Sequence, residues 1–213
     1  MIDEIDAALR AIIVDEALAG ADVDLAFEAP TKEWASKRSA PTICAYLYDI
    51  REDVRRRESG FVEEYRDGRA VSRHSPPRYF RLSYLVAAWT QRPEDEHGLL
   101  ARLLRCLINY QSIPADRLTG SLAELGLPVT MTVALPPSED RSFADVWSAL
   151  GGELKPSVDV VICAPLAVRS TQPVGPPVKL PVLRVGGMGD PAQSTETRRR
   201  PRIDETPTTG GPW

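Results

Sequence analysis

The residues of this chain that could serve as nucleophile, general base or metal ligand are few and scattered. There are two histidines and three cysteines in 213 residues. His97 falls in the first turn of a leucine-rich helical pattern, and His74 stands in an arginine-bearing stretch with no acid placed to orient it. Cys44, Cys106 and Cys163 form no CxxC pair, and with so few histidines they define no zinc site. They read as free thiols of a reducing compartment, small and apolar. Ser121 follows Gly120 in "LTGSLAEL", which is not the GxSxG elbow of a hydrolase. The acid pairs Asp95–Glu96 and Glu139–Asp140 precede helical patterns, where the helix dipole accounts for them. "GGMGD" (186–190) resembles part of a phosphate loop but lacks the helix whose N-terminus would face the anion. No nucleophile–base–oxyanion set and no metal constellation emerges, so the expectation is a non-enzyme without cofactor or metal.

The elements that would carry these residues follow from periodicity. Ile2, Ile5, Leu9, Ile12 and Ile13 recur at helical spacing, predicting a helix over about 2–18 that stops near Gly20. "DVDLAFEAP" alternates as a short strand. "TICAYLYDIR" reads as an inner strand running on into the very polar "EDVRRRESG". Residues 59–77 are polar, punctuated by Gly60 and Gly68, and predict a projecting hairpin or long loop. In "RYFRLSYLVAAW", Phe80, Leu82, Tyr84, Val86 and Ala88 share one face. On the other, Arg81 and Ser83 give way to Leu85, Ala87 and Trp89, so this strand enters the middle of a sheet from an exposed end.

"RPEDEHGLLARLLRCLINY" is a helix covering that sheet, and "IPADRLTGSLAELGLP" is turn-rich with one short helical turn. "VTMTVAL" is a strand, "FADVWSALGG" a helix with Ser142 at its start and Gly151 at its end, and "SVDVVICAPL" the last core strand. The fold class is α/β (α+β): a single mixed β-sheet flanked by helices, with a projecting basic hairpin or loop and a disordered C-terminal tail. The expected domain organisation is a core over 1–168, then a proline-rich extension over 169–189 in which Val182 to Val185 could add an edge strand. A disordered tail follows over 190–213.

The net charge of −4 gives the whole molecule no electrostatic reason to seek nucleic acid or anionic lipid. The charge is uneven, however. Arg66, Arg69, Arg73, Arg78 and Arg81 face Asp67 alone, so the arm over 66–81 is basic on an acidic body. With Tyr79, these arginines are the candidate interface residues, because arginine and tyrosine suit protein–protein contacts. An alternative is a nucleic-acid or small-ligand binding module using the same arm. The acidic, amphipathic start is the opposite of a signal or transit peptide, and no run approaches the ~18 apolar residues that span a bilayer. The expected location is the cytoplasm.

Three separated motifs carry a resemblance. "PTKEWASKRSAPTICAYLYDIRED" (30–53), "PPRYFRLSYLVAAW" (76–89) and "WSALGGELKPSVDVVICAPL" (147–166) resemble the tail-terminator or cap proteins of phage-tail-like contractile injection systems. That family's P-R-Y-x-x-L-S-Y-L-V-x-A-W strand is matched by Pro77, Arg78, Tyr79, Leu82, Ser83, Tyr84, Leu85, Val86, Ala88 and Trp89. Its Ala-Leu-Gly helix end is matched by Ala149 to Gly151, and its Lys-Pro-Ser strand start by Lys155 to Ser157. The likeness spans about residues 1–168. It implies a structural role without catalysis or cofactor. Such proteins form a six-fold, homo-hexameric ring at the baseplate-distal end of the particle, where they stop inner-tube polymerisation and contact the last sheath ring. The implied partners are the tail sheath protein, the inner tube protein and further copies of the chain, with no nucleic acid and no direct membrane insertion.

Overall fold

The long apolar strand sits at the centre of the molecule. A computed structural model describes residues 1–66, 69–136, 142–168 and 171–173, which belong to one compact unit, Met1–Pro173. Strand β1 is Asp24–Ala26, β2 Thr42–Glu52, β3 Val62–Arg66, β4 Arg69–His74, β5 Arg78–Trp89, β6 Thr130–Val133, β7 Ser157–Leu166 and β8 Thr171–Pro173. The main sheet has the order β1-β2-β5-β7-β6, so β5 is its middle strand, as its pattern predicts. Only β1 runs parallel to its neighbour; the other pairings are antiparallel, which makes the sheet mixed.

The helices are α1 Ile2–Ile12, α2 Lys32–Ser36, α3 Pro93–Leu107, α4 Gly120–Leu125 and α5 Phe143–Ala149. The predicted first helix is α1 continued by a wider π turn, Ile13–Ala17. Because β-strand side chains alternate, β5 buries two different sets of neighbours. Leu82, Tyr84, Val86 and Ala88 join one large cluster with Ile5, Leu9 and Ile12 of α1 and Leu99, Leu103 and Leu107 of α3. Each such fully buried aliphatic side chain contributes about 1.5–3 kcal/mol over its exposed state. Leu85 and Ala87, on the opposite face, pack with Trp147 of α5 and with Trp89. Ser142 occupies the N-cap of α5 without a side-chain capping bond, and Gly151 takes φ +68° just past its end.

Polar bonds lock the helices onto the sheet. The Tyr84 hydroxyl donates to Asp6 Oδ1 at 2.7 Å, and burial raises the Asp6 pKa despite that bond. Glu4 of α1 accepts from the backbone N–H of Ser121 at 3.1 Å, that of Leu122 at 2.9 Å, and the Ser121 hydroxyl at 2.9 Å. Desolvation would raise Glu4, but these bonds outweigh it and hold its carboxyl below the ordinary value.

Two expectations are corrected. The sheet is not single: β3, β4 and β8 form a second, three-stranded sheet, with β8 pairing Thr171 to His74. The physical reason lies at Pro76 and Pro77, which lack the N–H donors that would carry β4 on into the β5 ladder. The hairpin β3–β4 exists, but it is not basic. Glu63, Glu64 and Asp67 balance Arg66, Arg69 and Arg73. The edge strand that Val182 to Val185 could add, "GGMGD" and the tail over 190–213 lie outside the described residues, as does the pair Glu139–Asp140.

Candidate interface at the arginine-rich end of the sheet

The six candidate residues do not form one group. Arg66, Arg69 and Arg73 belong to the hairpin, whereas Arg78, Tyr79 and Arg81 open the central strand β5. Within the hairpin, Arg73 stacks its guanidinium 4.6 Å from the Phe61 ring centroid, and all of β3 is exposed.

At the start of β5 the antiparallel register supplies neighbours that the arm reading missed. Glu52 stands opposite Phe80, and Arg51 directly opposite Arg81. The chain leaving β2 then turns through a 3₁₀ segment, Val54–Arg56, bonded to β5 by the Asp53 N–H donating to the Tyr79 carbonyl at 2.8 Å. This brings "RRR" (55–57) beside Arg78 and Arg81. Arg56 lies 3.6 Å over the Tyr79 ring and donates to Cys163 Sγ at 3.5 Å. Arg57 donates to Glu52 at 2.9 Å, with Arg78 3.6 Å from the same carboxylate. The Arg57 hydrogen bond, more than any other contact, lowers the Glu52 pKa. Arg55 is 3.7 Å from Asp53, and Arg51 3.1 Å from Asp49.

The result is six arginines, at 51, 55, 56, 57, 78 and 81, set against four carboxylates, Asp49, Glu52, Asp53 and Glu58, the last directly after Arg57 in the chain. Arg51 facing Arg81 across the ladder breaks a local rule, since like charges directly opposite one another destabilise a strand pair. Such local violations are expected at functional or strained sites. Exposed aliphatic side chains sit among the arginines: Ile50 is 48% exposed, Val54 64% and Leu166, opposite Arg78, 40%. Arginine interleaved with apolar surface is a protein-docking chemistry. A nucleic-acid groove would present open aromatic faces for stacking, yet the Tyr79 ring is covered by Arg56. The sequence signal for the missed residues was the triple arginine directly after a strand; its distance from Arg78 in the chain hid the connection.

The residues screened for chemistry are accounted for by their surroundings. The Ser121 hydroxyl donates to Glu4, and His97 is exposed at the start of the second turn of α3. Cys44 is buried, which pushes its thiol up to about 12; Cys163 is also raised by burial, despite the Arg56 contact. All three cysteines are free, and Cys106 is only partly buried. No cluster that could hold a metal occurs among the described residues, and no described helix is long and apolar enough to cross a membrane.

In sequence, residues 4–179 match the family described as the Pvc16 N-terminal domain. None of the curated proteins matches the chain. In structure the chain is similar to the PVC sheath/tube terminator of an extracellular contractile injection system in its extended state. That match has a TM-score of 0.65 at 20% identity and covers 89% of this chain and 64% of the other. It is also similar to the cap of the anti-feeding prophage, a tube-terminating cap, with a TM-score of 0.62 at 20% identity, covering 87% of this chain and 61% of that one. The chain thus spans less than two thirds of either terminator, and at this identity the likeness is one of fold.

Proposed function

Because the chain belongs to the Pvc16 N-terminal domain family, we propose that it is the structural terminator, or cap, of a contractile injection particle. The observation that carries this reading is the family match over residues 4–179, joined to a shared fold with two tube-terminating proteins. In this role the chain binds the last inner-tube ring and the last sheath ring at the baseplate-distal end and stops further addition. It works as a homo-hexameric ring, is made and assembled in the cytoplasm, and catalyses nothing. A closed ring of identical subunits needs two different complementary patches on each. Arg78, Tyr79 and Arg81 contribute to one patch; Arg66, Arg69 and Arg73 present the hairpin to a tube or sheath neighbour. The domain carrying this role is 1–168, with 169–189 as its extension and 190–213 as a tail dispensable for folding.

The test is to delete the gene and image the particles by electron microscopy. Tubes of uncontrolled length or unstable sheath are expected; tubes of uniform normal length with normal sheath would sink the proposal. The reversal Arg73→Glu with Arg78→Glu is expected to leave the subunit folded by circular dichroism while impairing assembly onto particles.

A further inference from the structure

Helix α5 is held to the main sheet differently from the other helices. Helix α1 is tied down by the Tyr84 hydroxyl, which donates to Asp6, and is joined to α4 through Glu4. The start of α3 is tied by Glu96, which accepts from the Thr90 N–H and from Lys155 Nζ. No side chain of Phe143–Ala149 makes a hydrogen bond or ion pair with the sheet among the described residues. Apolar packing alone seats α5 over Leu85 and Ala87, with Trp147 as its one fully buried side chain. That packing leaves polar atoms stranded. The indole Nε1 of Trp147 and that of Trp89, in rings 6.2 Å apart between centroids, are both buried, and neither has an acceptor among the described residues. An indole N–H can only donate, so a buried one without an acceptor opposes the closed position of the helix.

We propose that α5 is a lid, which opens from the sheet as a unit while the rest of the fold stays packed. Lifting it returns Trp147 Nε1 to water and uncovers Leu85 and Ala87. Those two residues continue, on the same face of β5, the row that begins with Tyr79 and Arg81. With the lid closed, the open part of that face is its arginine-bearing start. With the lid open, an apolar strip ending at Trp89 extends it. The lid therefore sets how much of the central strand a neighbouring molecule can reach. It follows from packing alone and stands whether or not the chain terminates a tube.

Two features make this opening local. The buried cluster under α5 is Leu85, Ala87 and Trp147, whereas the cluster on the other face joins α1, α3 and α4 to four strands. Segments with few buried apolar contacts open first, and opening this one removes nothing from Leu82, Tyr84 and Val86, which point the other way. The chain leaving α5 also supplies a place to turn. Gly151 sits at φ +68°, a conformation that glycine adopts without strain. Gly152 donates its N–H to the Trp147 carbonyl at 3.1 Å, and a Cβ on it would lie 3.3 Å from the Trp147 ring. Glycine at 152 thus lets Trp147 seat fully, and a methyl group there presses on the ring and biases the lid toward opening.

The experiment compares two neighbouring positions of β5, Ala87→Cys under the lid and Ala88→Cys in the cluster under α1 and α3. The native side chains are equally hidden, at 0% and 1% exposure. Each substitution is made with Cys106→Ser, since Cys44 and Cys163 are buried. After circular dichroism confirms the fold, both variants are treated without denaturant with a water-soluble thiol reagent. The Ala87→Cys thiol is expected to react on the order of 100-fold faster than the Ala88→Cys thiol. Adding Gly152→Ala should raise the rate at 87 several-fold and leave that at 88 unchanged. Equal rates at the two positions, or a rise at both alike, would overturn the lid. Hydrogen exchange of the unsubstituted chain reads the same opening should a cysteine variant not fold. The amides of α5 are expected to exchange well before those of α1 and α3, and exchange in step with them would equally overturn it.

Discussion

The helix-covered side of the main sheet and the arginine-rich end are built from the same two strands, β2 and β5, by opposite rules. Under α1 and α3 the side chains are apolar, fully buried and mutually packed, and the polar atoms there, such as the Tyr84 hydroxyl, have a named partner. A few residues earlier along β5, arginines face each other, aliphatics are left in water and carboxylates are too few to balance the charge. The first region holds the fold together. The second tolerates a local cost, the like-charge pair of Arg51 and Arg81.

That contrast can be broken or sharpened by substitution, beginning with the covered side. Leu82→Ala should cost about 2–5 kcal/mol in a urea titration, since Leu82 is fully buried within the cluster. A cost near that of a surface change would mean that the two regions are not energetically distinct. Gly120→Ala comes next. Gly120 has φ +54°, and a Cβ there would lie 2.8 Å from Glu4 Oε1, so strained backbone and displacement of Glu4 add together. A loss of about 1–3 kcal/mol from the backbone strain alone is expected, read as a lowered Tm.

Glu4→Gln should cost about 1–2 kcal/mol near neutral pH by weakening bonds to the amides of Ser121 and Leu122. The sign of its pH dependence follows from the lowered Glu4 pKa. The carboxylate's contribution is fully present above its unfolded value of about 4.5, and is lost as pH falls through the lower folded value. Wild type and variant should therefore converge in acid; a gap that widens on acidification would refute the assignment. The smallest effect is expected at the arginine-rich end. Arg51→Thr should change stability by about 0.5 kcal/mol or less, in the stabilising direction, because it relieves the like-charge pair with Arg81. Its assembly onto particles should nonetheless fall. A clearly destabilised variant that assembles normally would erase the contrast.

Much of the covered side was legible from residue order. The alternation in "RYFRLSYLVAAW" named both faces of β5, and leucine spacing placed α3, because periodicity reports local geometry directly. The arginine-rich end was only half legible. Arg78, Tyr79 and Arg81 stood out through their bias against acids, but Arg55 to Arg57 join them only through the pairing of Glu52 with Phe80. Register between strands distant in sequence leaves no periodic mark. The hairpin was visible through its glycines and alternation, whereas its assignment to a second sheet depended on Thr171–Pro173 returning to β4, a long-range event. Treating 66–81 as one arm failed because Pro76 and Pro77 divide it between two sheets.

Strand β5 is hydrogen-bonded along nearly its whole length on both edges, to β2 from Phe80 to Trp89 and to β7 from Arg78 to Ala87. A pull applied to the arginines at its start is directed along the strand, across ladders that must shear together instead of unzipping bond by bond. The subunit is therefore mechanically stiff along this axis. A load arriving at its exposed end is passed as tension into the middle of the sheet and spread over two neighbours, without being taken up by a loop.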